Sequence, residues 1–301
     1  MTGAYPYPFE PKKITVAGHV MSYIDEGEGQ PVLMVHGNPT WSFYYRNLIC
    51  SLRKKYRAVA LDHLGCGLSA KPLGYPYTLA NHIDNLTSFI DQLGLDKVSL
   101  VMHDWGGAIG MGFAGRYPER ISSLTVLNTA AFTSRRIPLR ISLCRMPLLG
   151  EFLVRGLNAF SRAALRMAVT RPLSAEVARG YLAPYDSWDN RIAVYRFVKD
   201  IPLREGHVSW PVLTEVERNL ERLRQVPMMI VWGGRDFCFN DHFYTEWGRR
   251  FPDARRYYFG EAGHYVLEDA FADVEPLFHE FYDQVLQKSA DRPLQGVGIR
   301  P

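Results

Sequence analysis

An aspartate stands where a short apolar run meets a cluster of small residues: Val101-Met102-His103-Asp104-Trp105-Gly106-Gly107-Ala108, after which a helical pattern begins. Strand, sharp turn and helix in this order make a nucleophile elbow, whose small residues tolerate the strained turn that lifts the apical side chain above the sheet. The usual apex is serine, which must lose a proton before it attacks a carbonyl. An ionised carboxylate already has its lone pair and suits displacement at a saturated carbon. The competing explanation is an aspartate that only caps the following helix, a position that favours this residue.

Two further stretches bear on the choice. His36-Gly37-Asn38-Pro39 follows another apolar run, and its turn can present backbone N–H groups and the Asn38 amide to an anion. A plain strand-to-helix turn would use the same residues. Glu261-Ala262-Gly263-His264-Tyr265 comes late in the chain, after the last apolar run and before the final helix, which fits the order nucleophile, acid, histidine. A third member, a carboxylate, should hold that imidazole in one tautomer. Asp236, in Trp232-Gly233-Gly234-Arg235-Asp236-Phe237, is placed for this role. The other usual position for the acid, after the sixth strand, holds Leu127-Asn128-Thr129, and Asn128 cannot be an anion. Asp241 and Asp269 are nearby alternatives, better explained as helix-start residues.

These residues need a scaffold, and the apolar pattern supplies one. Lys13 to Val20 and Met21 to Asp25 read as a hairpin turning at Ala17-Gly18. Six further runs follow: 32–35, 58–61, 98–102, 124–127, 228–232 and 256–259. Between most of them lie helical stretches at 41–53, 78–93, 106–117 and 242–251, with a last one at 271–286. The alternation predicts an α/β fold with a mostly parallel, eight-stranded sheet covered by helices on both faces. It is interrupted between residues 133 and 217 by arginine-rich and aromatic helical segments broken by prolines, which predicts a cap inserted above the carboxyl ends of the strands, where ligands bind in open α/β sheets. The expected division is a core of residues 1–132 and 218–287, a cap of 133–217 and a disordered tail of 288–301.

HGNPTW, HDWGG, GGRD and GHYVLED, in this order between Pro8 and Leu286, resemble the α/β-hydrolase superfamily and, within it, the haloalkane dehalogenases. The resemblance implies Asp104 as nucleophile, His264 as base, Asp236 as its orienting acid, and Asn38 with the Trp105 indole N–H as the pair that holds the halide. An indole donates one N–H in a fixed direction and accepts nothing, which suits an anion. An aromatic plug under the cap would explain Trp105 as well. The cap stretches LNAFSRAA, APYDSWDNR and FVKDIPL, with LNTAAF before them, are similar to the third dehalogenase subfamily, which includes the β-lactone decarboxylases of bacterial olefin synthesis. The expected activity is therefore carbon–halogen cleavage through an aspartyl alkyl-enzyme ester that His264 helps water to hydrolyse, giving alcohol and halide. The alternative is loss of carbon dioxide from a dialkyl β-lactone to give a cis alkene, on the same five residues. Epoxide hydrolases share the elbow but use cap tyrosines as acids, for which Tyr181, Tyr185 and Tyr195 are candidates. Fluoroacetate dehalogenases carry an arginine where Trp105 stands. A non-catalytic protein on the same fold would show a broken triad, and none is broken here.

Composition agrees with an ordinary folded enzyme. The chain has 301 residues, 47% hydrophobic and 22% charged, without an apolar run long enough to span a bilayer or a hydrophobic leader, which predicts a cytoplasmic protein. Cys50, Cys66, Cys144 and Cys238 form no CxxC pair and read as buried free thiols; no metal or organic cofactor is implied. The net charge of +4 is uneven. From Ser134 to Arg171 the chain carries Arg135, Arg136, Arg140, Arg145, Arg155, Arg162, Arg166 and Arg171 against the single acid Glu151, interleaved with leucine, isoleucine and phenylalanine. This is either an amphipathic helix pair with solvated arginines or a surface for a membrane or a pathway enzyme. Oligomerisation through the cap fits every reading, and nucleic acid fits none, since no binding motif accompanies the charge.

Overall fold

A computed structural model describes residues 5–290, with side chains through Val285. The hairpin forms where expected, from β1 (Lys12–Val16) and β2 (His19–Glu26), with Val16 paired to His19. Ala17 and Gly18 both have positive φ, 50° and 74°, which a two-residue turn needs if it is to follow the right-handed twist of its strands. β2 runs unbroken from His19 rather than starting at Met21.

The six apolar runs become β3 (Pro31–Val35), β4 (Arg57–Leu61), β5 (Val98–Asp104), β6 (Ile121–Thr129), β7 (Met228–Gly233) and β8 (Arg255–Phe259). The spatial order is β1-β2-β4-β3-β5-β6-β7-β8, with β2 antiparallel to both its neighbours and the remaining pairs parallel. Two apolar cores form because successive side chains leave a strand on opposite faces. Leu33 and Val35 of β3 point to one core, and Val32 and Met34 to the other. The first core is covered by α2 (Leu79–Gln92) and α3 (Trp105–Arg116). The second lies under α1 (Arg46–Leu52), the short α11 (Val266–Asp269) and α12 (Phe271–Ala290). The stretch at 41–53 opens as a 3-10 turn, Ser42–Tyr45, before α1 begins, and Thr78 caps α2 by accepting the Asn81 N–H. α12 carries helix as far as Ala290, three residues into the expected tail; the rest of that tail lies outside the described residues.

Between β6 and β7 the chain makes α4 (Leu139–Cys144), α5 (Leu149–Glu151), which runs on into a π turn at Phe152–Gly156, α6 (Ala159–Met167), α7 (Ala175–Leu182), α8 (Ile192–Lys199) and α9 (Trp210–Asn219); α10 (Asp241–Arg250) joins β7 to β8. α9 packs on α3, where Gly115 leaves room for Asn219. All four cysteines are unpaired, Cys66 buried and the other three half-buried. No helix among the described residues is long and apolar enough to cross a membrane.

β3 lies between β4 and β5, so the connections leaving β3 and β5 diverge to opposite sides. The carboxyl ends of these two strands open a crevice at that switch point. His36 to Thr40 and Asp104 are the residues that leave them.

Candidate active site

Asp104 ends β5 and opens α3 with φ 52° and ψ −125°, a backbone that L residues adopt only under constraint, at a cost of about 1–3 kcal/mol. The constraint is visible in its neighbours. The Thr129 hydroxyl donates to the Asp104 carbonyl, and a Cβ on Gly106 would collide with the Val35 carbonyl. The side chain makes no capping bond to α3, so the capping explanation does not describe it. Its Oδ1 instead accepts the Asn38 N–H at 2.6 Å, and the Trp105 N–H also favours the anion. Gly37 packs so closely that a Cβ there would occupy the place of the Asp104 carboxylate. Burial raises the Asp104 pKa, against the pull of His264 and of these two N–H groups.

His264 sits on the loop between β8 and α11, buried, with Nε2 3.8 Å from Asp104 Oδ2 and Nδ1 2.7 Å from Asp236 Oδ2. A carboxylate only accepts, so Nδ1 carries the proton and the lone pair of the neutral ring lies on Nε2, toward Asp104. Burial alone would push the imidazole down, but the charge and hydrogen bond of Asp236, with Asp104 beyond, carry it above the ordinary histidine value. Asp236 is fully satisfied: Oδ2 also accepts the Asn128 amide at 3.0 Å, and Oδ1 accepts the Cys238 and Phe239 N–H groups at 2.6 and 3.0 Å.

Asn38 and Trp105 both line the cavity above Asp104. One Asn38 amide hydrogen is taken by the Val194 carbonyl at 3.1 Å, and the buried Oδ1 has no partner, so a single amide N–H remains for a ligand. The Trp105 ring leans on Phe197, with centroids 5.3 Å apart. The cavity measures about 310 Å³. Its walls are apolar, from Leu79, Phe132, Ile141, Phe160, Leu213 and Phe243 among others. In the lining, Asp104 and the His264 imidazole stand at the floor, and the charged Arg136 and Arg140 toward the exposed side.

The structure thus brings all five sequence-predicted residues to one place, and adds His103, which the sequence did not single out, and Asn128, which the sequence only ruled out as the acid. Asn128 occupies the strand-end position where related folds carry the acid. It cannot be the anion, yet its amide donates to Asp236 and to the Gly233 carbonyl while its oxygen accepts the Gly233 N–H. Its place after the sixth run was the signal available. His103 donates from Nε2 to the His264 carbonyl at 3.0 Å and stacks on Tyr44; burial and His264 drop its pKa far below the ordinary value, so it stays neutral.

Asp269 does lie in the single turn of α11, as expected of a helix-start residue, but it does more than that. It closes α11, and its carboxylate accepts the N–H groups of Gly263, Thr170 and Arg171, tying the His264 loop to the turn after α6. Asp241 does begin α10, under the Asn240 cap, and accepts the Tyr258 hydroxyl. The three candidate tyrosines, Tyr181, Tyr185 and Tyr195, do not line the cavity. The Tyr181 hydroxyl donates to Glu268, which also pairs with Arg46, and the Tyr185 hydroxyl donates to the Thr40 carbonyl, while Tyr195 is buried in the second core.

Known proteins share this architecture and chain. The alpha/beta hydrolase fold family matches residues 30–271. A cis-3-alkyl-4-alkyloxetan-2-one decarboxylase of Shewanella oneidensis is 47% identical over 274 residues, 89% of this chain and 86% of that one. Haloalkane dehalogenase 2 of Mycobacterium bovis is 31% identical over 88% of this chain and 92% of its own. The crystal structure of a haloalkane dehalogenase from Bradyrhizobium elkani superposes with a TM-score of 0.86 at 24% identity, covering 93% of this chain and 99% of that one.

Proposed function

Because the chain belongs to the alpha/beta hydrolase fold family, in the branch of the haloalkane dehalogenases and oxetanone decarboxylases, we propose that it is an enzyme that opens cis-3,4-dialkyl β-lactones at Asp104 and releases carbon dioxide and a cis alkene. The observation that carries this is a carboxylate held at the floor of an apolar cavity, Oδ1 bound to the Asn38 N–H and Oδ2 beside His264. The 47% identity to a decarboxylase that acts on such an oxetanone supports it. In this reading residues 133–217 cap a core made of 1–132 and 218–287.

Asp104 attacks the saturated, alkyl-bearing ring carbon bonded to the ring oxygen, in line with the breaking C–O bond. The ring oxygen leaves as part of a carboxylate, which the Asn38 amide and the Trp105 indole N–H receive. The electron pair of the bond between that carboxylate and its carbon then forms the alkene, carbon dioxide departs, and the aspartyl ester bond breaks to restore Asp104. Inversion in the first step followed by anti elimination in the second keeps the two alkyl groups cis. No water is consumed, and no cofactor takes part.

A second reading uses the same floor for haloalkanes, favoured by Trp105 and Asn38, which both line the cavity and whose N–H groups suit a halide. Asp104 displaces halide, and His264, held by Asp236, takes a proton from the water that hydrolyses the ester. Incubation with a cis dialkyl β-lactone and, separately, with 1,2-dibromoethane tests the two. Alkene in large excess over bromide is expected, with both lost in Asp104→Ala. Bromide without alkene would replace the first reading by the second.

A further inference from the structure

Among the described residues, large exposed apolar side chains concentrate between residues 139 and 157. Leu139 is 76% exposed, Leu148 85% and Phe152 54%, and Leu143, Met146 and Leu157 join them; elsewhere such residues are scattered. Leu139, Leu143 and Met146, at spacings of four and three, form one stripe along α4 and the turn after it, while Ile141 and Cys144 on the inner side line the cavity. Phe152 and Leu153 repeat the pattern, the first exposed and the second in the cavity wall. A helix on a water-facing surface normally turns polar residues outward. Here apolar side chains point both into the cavity and out toward solvent.

Arginines rim the patch. Arg145 is engaged by the Val198 and Ile201 carbonyls, and Arg155 by Glu151 and Asp189. Arg135, Arg136, Arg140, Arg162 and Arg166 make no ion pair among the described residues, and four of them lie within six residues of the apolar stretch. Arg136 and Arg140 also belong to the cavity lining, so the rim and the cavity mouth coincide.

We propose that residues 139–157 dock on an anionic lipid bilayer, with the leucines and Phe152 in the interfacial zone and the arginine rim against lipid phosphates, so that a water-insoluble substrate passes from bilayer to cavity without crossing water. Charge decides the occupant. A two-fold contact between copies sets the same patch against itself and brings like-charged arginines together, whereas an anionic surface meets the apolar stripe and the unpaired cations at once. The delivery of substrate rests on the lactone reading; the docking does not.

Flotation with vesicles of phosphatidylcholine, with and without phosphatidylglycerol, at low and high salt tests the docking. The full chain is expected to float with the anionic vesicles at low salt and to come off at high salt. Leu148→Asp with Phe152→Asp should abolish flotation, and Arg162→Glu with Arg166→Glu should weaken it by at least about 25-fold, a factor of about five for each of the two positive charges removed. These four positions lie outside the cavity lining, so thermal melting and bromide or alkene release from a detergent-dispersed short-chain substrate should stay as in the parent. Absence of flotation, or flotation indifferent to these substitutions, overturns the proposal. So does a light-scattering dimer that Leu148→Asp dissolves while no vesicle is bound, which would make the patch a contact between copies. Flotation reads no turnover, so failure to make alkene and failure to dock are separate results.

Discussion

Replacing Asp236 by asparagine should separate the two chemistries that share this floor. The side chain accepts four hydrogen bonds, two from the Cys238 and Phe239 N–H groups at 2.6 and 3.0 Å and two from His264 and Asn128 at 2.7 and 3.0 Å. An asparagine has one accepting oxygen, and the two backbone donors, which cannot move, hold it on their side. Its NH2 then faces His264 Nδ1, which must become the acceptor, and the imidazole proton moves to Nε2 beside Asp104. An Nε2–H cannot take a proton from water. Loss of the correct tautomer costs roughly 10⁴-fold in such triads, about 5.5 kcal/mol.

Bromide turnover should therefore fall by that order while a first equivalent of ester still forms. Alkene formation, which moves no proton from water, should fall less than about 100-fold, the lower bound of what a general base supplies. The pH dependence has a definite sign. Hydrolysis needs the neutral ring, so in the parent the rate rises with pH through the raised His264 pKa. Without the Asp236 charge, burial dominates and the rising limb moves to lower pH. Rapid-quench mass spectrometry of the Asp104 peptide, with bromide and alkene assays across pH, provides the measurement. Equal loss of bromide and alkene turnover would refute the reasoning, because His264 would then act as a base in both; so would hydrolysis at the parent rate.

Other consequences follow from single contacts. Gly37→Ala places a methyl group where the Asp104 carboxylate lies, and displacing the reacting group by about 1 Å costs on the order of 100-fold in kcat; a parent-like kcat on both substrates would contradict it. Glu268→Ala strands Arg46 and the Tyr181 hydroxyl in the core, which should lower stability by about 3–5 kcal/mol in urea unfolding. Arg46→Met combined with Glu268→Leu should recover most of that loss, and no recovery would mean that packing, not charge, was at stake. Asp269→Ala removes the acceptor shared by Gly263, Thr170 and Arg171. It should cost about 1–3 kcal/mol and lower kcat more than it changes KM, a split that a merely structural role would not produce.

Much of this site could be read before any coordinates, because each motif is a local statement about the backbone. Val101 to Ala108 reads as a strand, a turn that only small neighbours allow, and a helix start, and the structure places the strained φ at Asp104 itself. The order of Asp104, Asp236 and His264 along the chain followed from the order of the runs that precede them. Asp269 reads from its neighbourhood only as a helix-start residue, because its further partners Thr170 and Arg171 lie about a hundred positions away.

Sequence alone settled what depends on residue type and short spacing. Continuous short apolar runs must bury both faces, Ala17-Gly18 must turn, and an aspartate at an elbow apex must offer a lone pair rather than a hydroxyl. Tertiary structure decided what depends on distance between remote segments. Asn128 meets Asp236 across 108 positions, the Val194 carbonyl takes one hydrogen of the Asn38 amide across 156, and residues from nearly every connection combine into a cavity of about 310 Å³. The physical reason is that hydrogen-bond partnership and enclosed volume are set by side-chain packing at ångström precision, and no spacing along a single chain encodes the distance between elements that meet only after folding.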